Sequence, residues 1–203
     1  MSLKNQRLVL ASASPRRKEI LERLCSFSGL VFEVIPSSFA ETLPKQDAEQ
    51  YVSKTALEKG IEVLDSLKVI FILKKDQAAV VISADTIVVL DGIIIEKPTS
   101  HANALDILQS LSGRSHEVKT AVWILDGAKR FGFVETTNVT FAHVSQSVLE
   151  AYIETQEPID KAGAYGYQGI ASLFISKIDG CYWNVVGLPA RALFSHLTEH
   201  GYL

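Results

Sequence analysis

Apolar positions along the chain fall into short unbroken runs and helix-spaced stripes, and the two kinds interleave from the first residues onward. Residues 7–11 make an apolar run too short for a helix. Ser12-Ala13-Ser14-Pro15-Arg16-Arg17 follows, and then a stripe at Ile20, Leu21, Leu24 and Cys25, which together predict a strand, a turn and a helix. Ser14 suits the helix cap and Pro15 the first helical position, where a missing N–H costs nothing and φ is already helical. Residues 30–35 predict a second short strand, and Glu41 follows in a polar stretch that ends at Pro44. Residues 47–67 predict a helix whose apolar face carries Tyr51, Val52, Ala56, Ile61, Val63 and Leu64. Gly60 costs about 1 kcal/mol against Ala in a helix interior, which predicts an end or a bend near Lys59. Residues 68–77 hold no motif and read as an extended connection.

Residues 78–90 are dominated by Val and Ile and predict a buried central strand, with Asp85 inside it. Asp91-Gly92 is a hairpin signal returning through residues 93–96 until Lys97-Pro98 stops the pairing. A helix over 100–111 ends at Gly113, a natural left-handed cap, and residues 118–125 and 131–144 read as an antiparallel pair. Ser147 with Glu150 resembles a capping box opening a helix to about Thr155. A glycine-rich segment over 160–169 precedes a hairpin of 173–178 and 181–186 around Asp179-Gly180, and Pro189 opens a final helix. There is no repeat, linker or low-complexity segment.

Composition narrows the function classes. The 203 residues are 47% apolar and 21% charged, enough for a substantial core in one domain or two closely packed lobes. A formal net charge of -3 argues against holding a nucleic-acid polymer or an anionic membrane by bulk attraction, so any phosphate must be held locally. The longest stretch without Asp, Glu, Lys or Arg covers residues 162–176, short of the ~20 apolar residues that a membrane span needs. Residues 1–6 lack a secretory pattern, so a cytoplasmic protein is expected. Cys25 and Cys181 stand apart without a CxxC pair, so no disulfide framework or structural zinc is expected, and both read as small buried apolar residues.

Three places carry candidate chemistry. Ser12, Ser14, Arg16 and Arg17 gather at a helix start, where unpaired N–H groups and a partial positive charge make an anion cradle that fits a phosphate. The same residues would also fit a capped helix with two solvated arginines. Neither GxxxxGK[ST] nor GxGxxG is present, so the turn is neither a P-loop nor a Rossmann fingerprint. Asp85 is costly to bury unless it is paired or meets a cation, which suits a proton acceptor or a ligand for a divalent metal. A strand-end carboxylate bonded to loop backbone is the alternative. In Asp160-Lys161-Ala162-Gly163-Ala164-Tyr165-Gly166-Tyr167-Gln168-Gly169, three glycines permit close backbone approach to a ligand, and Gln168 offers a donor and an acceptor to a base edge. A tight structural loop is the alternative there. His116 and His143 read as ordinary polar residues, and the absence of GxSxG argues against a Ser-His-Asp hydrolase.

With those residues in hand, nearly the whole chain resembles the Maf-like nucleoside triphosphate pyrophosphatases. Leu10-Ala11-Ser12-Ala13-Ser14-Pro15-Arg16-Arg17 is similar to the family's opening signature, Ala84-Asp85-Thr86-Ile87-Val88 to its central one and Glu96-Lys97-Pro98 to the next. Leu111-Ser112-Gly113 through Thr120 and the segment 184–189 extend the match, and 160–169 resembles the version found in members acting on dTTP and UTP. The resemblance implies an elongated α/β fold of two lobes around a twisted mixed β-sheet, like that of the inosine triphosphatases, as a single domain over 1–203 with a cleft between lobes. It implies cleavage between the α and β phosphates with Mg²⁺ or Mn²⁺, in a cytoplasmic homodimer whose partner is a small nucleoside triphosphate. On that basis Asp85 activates water, Glu41 and Asp85 hold the metal, and Ser12, Arg17, Lys59 and Lys97 bind the triphosphate and stabilise its developing charge. Arg16, Thr86 and Gln168 stand where the family sets base selectivity.

A non-catalytic nucleotide-sensing module linked to cell division control is the competing expectation. It would bind through Arg16 and Arg17 without metal or turnover. The pairing of Asp85 with Glu41 favours the enzyme, since a pure binder of polyanions has no use for two carboxylates without a cation.

Overall fold

The computed structural model describes residues 7–45, 47–74 and 79–203, in which seven strands form one mixed sheet. The strands are β1 (Arg7–Leu10), β2 (Phe32–Val34), β3 (Ala79–Leu90), β4 (Ile93–Ile95), β5 (Ser115–Asp126), β6 (Lys129–Phe141) and β7 (Ile175–Asp179). The helices are α1 (Pro15–Ser28), α2 (Ala48–Lys74), α3 (His101–Leu111), α4 (Gln146–Glu154), α5 (Tyr182–Val186) and α6 (Ala190–Glu199). The sheet order is β2-β1-β3-β5-β6-β7, with β4 also on β3; β1 is parallel to β2 and β3, and the remaining pairs are antiparallel.

The long strand β3 organises the molecule. One of its edges pairs with β5 without a break from Val80 to Val89. The other edge is divided: β1 takes Ala79 to Ile82 and β4 takes Val88 to Leu90. Residues 83–87 between them have no strand partner on that side, so the sheet forks there. Because side chains alternate across a strand, each prong has its own core. On one face Val80, Ile82 and Ala84 pack with α1 and α6, whereas Val88 and Leu90 pack with α3 and α4. On the other face α2 spans both prongs, with Val63, Leu64 and Leu67 against Val9 and Val81, and Tyr51, Val52 and Ala56 against Ile87 and Val89. The two lobes meet at the fork, and Asp85 lies at its centre.

The expected hairpin after β3 forms: Asp91 and Gly92 take consecutive left-handed conformations, φ 51 and 79, which match the twist of the flanking strands. Five expectations need correction. Helix α2 does not end at Gly60 but continues to Lys74, so residues 68–74 of the supposed connection are helical; residues 75–77 lie outside the described chain. Gly60 serves contact rather than termination, since a Cβ there would sit 2.5 Å from both Leu125 Cδ1 and Ser83 Oγ. Helix α4 is capped at Ser145 and not at Ser147, and Glu150 accepts from Gln146 Nε2 at 2.7 Å instead of closing a capping box. The second arm of the expected 173–186 hairpin is α5: Asn184 turns its amide inward to donate to Val118 O (3.0 Å) and Thr137 Oγ1 (2.9 Å), which fixes that segment against β5 and β6 as a helix. Cys25 is buried as expected, but Cys181 is only half-buried. No helix among the described residues is long and apolar enough to cross a membrane.

Candidate active site

The turn from β1 into α1 is built by its own hydroxyls. Ser14 caps the helix by accepting from Arg17 N at 3.4 Å, and Ser12 Oγ accepts from Ser14 N at 3.3 Å. This holds Arg17 with its side chain across the fork. Its guanidinium donates to Gly187 O (2.9 Å), Ser12 Oγ (3.2 Å) and Thr86 Oγ1 (2.9 Å), and Thr86 in turn meets Thr120 Oγ1 at 3.0 Å. Those partners are neutral, so the arginine is oriented without being neutralised. Burial draws its pKa below the ordinary guanidinium value, with Asp85 acting in the opposite sense, and an arginine remains charged regardless.

Asp85 points to the opposite face of β3, toward α2. Its side chain is 8% exposed, and Lys59 Nζ donates to its Oδ1 at 2.7 Å. The same ammonium donates to Glu41 Oε1 at 2.6 Å. Burial alone would raise the Glu41 pKa, but Lys59, then Lys97 and Arg17, outweigh it and hold the carboxyl below its ordinary value. Lys59 is brought within reach because Ser83 Oγ donates to Ala56 O at 2.7 Å and Gly60 lets α2 lie directly on β3 and β5.

Around these groups the fork opens into a cleft of about 430 Å³, within the range of small-molecule sites. Ser12, Arg16, Arg17 and Thr86 line it from one side, and Glu41, Lys59, Asp85 and Lys97 line it too. Gln168 is exposed and outside this lining. Lys161 and Tyr165 are among the lining residues to which the sequence reading gives no role. Lys161, which pairs with Asp160 at 2.6 Å, adds a fifth cation against the three carboxylates of Glu41, Asp85 and Asp160. Tyr165, with Val88, Val118 and Val185, makes an apolar end. Both lie in the glycine-rich 160–169 segment. The left-handed Gly163 (φ +69), where a Cβ would meet Val88 at 2.8 Å, turns this segment against β3. His116 is buried behind the cleft with Nε2 2.8 Å from Tyr165 OH, and burial lowers its pKa to about 4; His143 is exposed.

The donor set suits a hard divalent cation. Two carboxylates converge on one ammonium at the mouth of a cationic cleft, and Mg²⁺ is commonly held by one or two carboxylates plus substrate phosphates. Among the described residues no group of three His, Cys, Asp or Glu side chains assembles for a fully protein-bound metal.

The arrangement has relatives. The family model described as Maf-like protein matches residues 7–200. The chain is 41% identical over 197 residues to a dTTP/UTP pyrophosphatase of Clostridium beijerinckii, covering 95% of this chain and 98% of that one. It is 40% identical over 200 residues to a dTTP/UTP pyrophosphatase of Caldicellulosiruptor bescii, covering 97% and 96%. Among solved structures, the Staphylococcus aureus Ham1 protein superposes with a TM-score of 0.54 over 96% of this chain and 100% of that one; at 14% identity the likeness is one of fold.

Proposed function

The chain belongs to the Maf-like protein family, and from that membership and the forked cleft we propose that it hydrolyses dTTP, UTP and related or modified pyrimidine nucleotides to the monophosphate and pyrophosphate. The observation that carries this reading is Lys59 bridging Asp85 and Glu41 beside the un-neutralised Arg17. The homologues named above as dTTP/UTP pyrophosphatases support the choice of substrate.

In the reaction, water adds to the α-phosphorus, the bond to the bridging oxygen breaks, and pyrophosphate leaves. Asp85 takes the proton from water, because it is a carboxylate oriented by the Lys59 ammonium, which donates to it at 2.7 Å, and held at the centre of the fork. Arg17 and Ser12, at the positive end of α1, hold phosphate oxygens, and Lys59 and Lys97 stabilise the charge that develops on them. Glu41 and Asp85 are the residues that would hold Mg²⁺ or Mn²⁺. Such an ion would neutralise the polyphosphate and polarise the α-phosphoryl group whose phosphorus is attacked. Arg16, Thr86 and Gln168 are assigned to base selection, and the first two line the cleft.

A panel of dTTP, UTP, CTP, methylated pyrimidine and purine triphosphates, assayed for pyrophosphate, tests the reading. Release from dTTP and UTP in excess of purines supports it; no release from any nucleotide above that of an Asp85→Asn control overturns it. A homodimer in the cytoplasm completes the proposal, and sedimentation of the purified protein checks the first part.

A further inference from the structure

Glu41 sits in a long stretch, 35–45, that belongs to no helix or strand, yet it meets Lys59 at 2.6 Å. Something other than secondary structure must hold it there, since ordering a free residue costs about 1–2 kcal/mol. Glu62 supplies the hold. It lies on α2 one turn after Lys59, so both side chains leave the same helix face. Its carboxylate accepts from Ser38 N and Phe39 N, each at 3.0 Å, and from the hydroxyls of Ser37 and Ser38. Ser37 Oγ also accepts from Phe39 N at 3.0 Å, which closes the turn on itself. Four donors therefore converge on one carboxylate two residues before Glu41. Those hydrogen bonds to the ionised form also draw the Glu62 pKa below its ordinary value. Ser37 and Phe39 line the cleft, whereas Glu62 does not and touches none of its reactive groups.

We propose that Glu62 is a positioning residue: by clamping the Ser37-Ser38-Phe39 turn to α2 it presents the Glu41 carboxylate to the divalent cation. The helix thus grips the loop twice, through Glu62 at the turn and through Lys59 at Glu41. If a cation displaced the Lys59 contact from Glu41, the Glu62 clamp would still hold the carboxylate in place. This inference rests on the reading of Glu41 as a metal ligand.

The test is Mn²⁺ binding to the nucleotide-free protein, followed by electron paramagnetic resonance of the free ion, for the parent, Glu62→Ala, Glu62→Gln, Glu41→Ala and the Glu62→Ala/Glu41→Ala double variant. Removing a residue that orients a metal ligand commonly costs 10–100-fold in affinity, so Glu62→Ala is expected to weaken Mn²⁺ about tenfold. Glu62→Gln, which keeps one acceptor oxygen, falls between. The double variant binds no more weakly than Glu41→Ala alone, because the clamp acts only through Glu41. Thermal unfolding run alongside identifies a variant that has lost its fold, in which case Glu62→Gln carries the comparison. Loss in Glu41→Ala with parental affinity in both Glu62 variants overturns the clamp alone. Parental affinity in Glu41→Ala overturns the metal reading and the clamp with it. Additive losses in the double variant also overturn it, since they would mean that Glu62 acts by another route.

Discussion

Asp85 and Thr86 are neighbours in β3 whose side chains serve opposite faces of the sheet, Asp85 meeting Lys59 of α2 at 2.7 Å and Thr86 meeting Arg17 of α1 at 2.9 Å. In an unbroken sheet no small ligand would touch both faces. Here β1 leaves the edge of β3 at Ile82 and β4 joins it only at Val88, so the edge between them is open and one polyanion can meet the groups of both faces. Under the proposed mechanism, the proton acceptor and the oriented arginine would then act on the same phosphate chain.

Asp85→Asn keeps the size of the side chain and an acceptor for Lys59 but removes the base. Loss of a general base costs about 10²–10⁴-fold in rate. Turnover of dTTP at saturation is expected to drop by that factor while the melting temperature changes little. A variant with more than a tenth of the parental turnover would assign the proton to another group.

Arg17→Lys keeps the charge and loses the fork. A lysine ammonium cannot reproduce the three directed bonds to Gly187 O, Ser12 Oγ and Thr86 Oγ1. Each hydrogen bond to a charged group contributes about 1.5–3 kcal/mol, so even one bond lost at the substrate predicts a rise in KM of about tenfold or more. Steady-state kinetics on dTTP read this directly, and an unchanged kcat/KM would show that only the charge matters.

Gly60→Ala tests the contact that brings Lys59 to Asp85. The added methyl meets Leu125 Cδ1 and Ser83 Oγ at 2.5 Å, so either those side chains rotate or α2 shifts on the sheet. Overpacking of this kind costs about 1–3 kcal/mol, seen as a lower urea midpoint, and the shifted Lys59 lowers kcat as well. Adding Ser83→Ala removes one of the two clashes and is expected to return part of both losses; equal damage in the single and double variants would mean that the contact does not position the lysine.

His116 makes stability fall on the acid side. Burial lowers its pKa from 6.5 to about 4, so the folded protein favours the neutral ring. Between those values the unfolded chain binds the extra proton, and the stabilisation present above pH 6.5 is lost as pH falls toward 4, by roughly 3 kcal/mol in all. Urea unfolding at pH 7, 5.5 and 4 measures it. His116→Gln, which cannot titrate, is expected to flatten that slope; a slope identical to the parent's would move the effect elsewhere.

Where a structural feature depends on neighbours in sequence, the residues state it openly. Ser14 and Pro15 mark the start of α1, and Asp91-Gly92 marks the turn after β3. Features set by distant partners are silent in the chain. Tyr182-Trp183-Asn184-Val185-Val186 has the aromatic and β-branched composition of a strand and becomes a helix because Asn184 finds Val118 and Thr137. Gly60 reads as a helix breaker until Leu125 and Ser83 are brought against it. The candidate site was legible as a set of residue types, from Ser12 to Lys97, because a phosphate and a cation demand hydroxyls, cations and carboxylates. That they meet at a fork in β3, with Lys161 and Tyr165 among them and Gln168 outside the lining, depends on strand pairing that local pattern does not encode.

The central claim is that the groups at the fork break the α–β bond of a pyrimidine nucleoside triphosphate. Phosphorus-31 magnetic resonance of dTTP turnover in ¹⁸O-water with Mg²⁺ tests it most directly. The account predicts equimolar dTMP and pyrophosphate, with the label on dTMP and no turnover by Asp85→Asn beyond its small residue. Label on pyrophosphate, formation of dTDP and phosphate, or parental turnover by Asp85→Asn would contradict it.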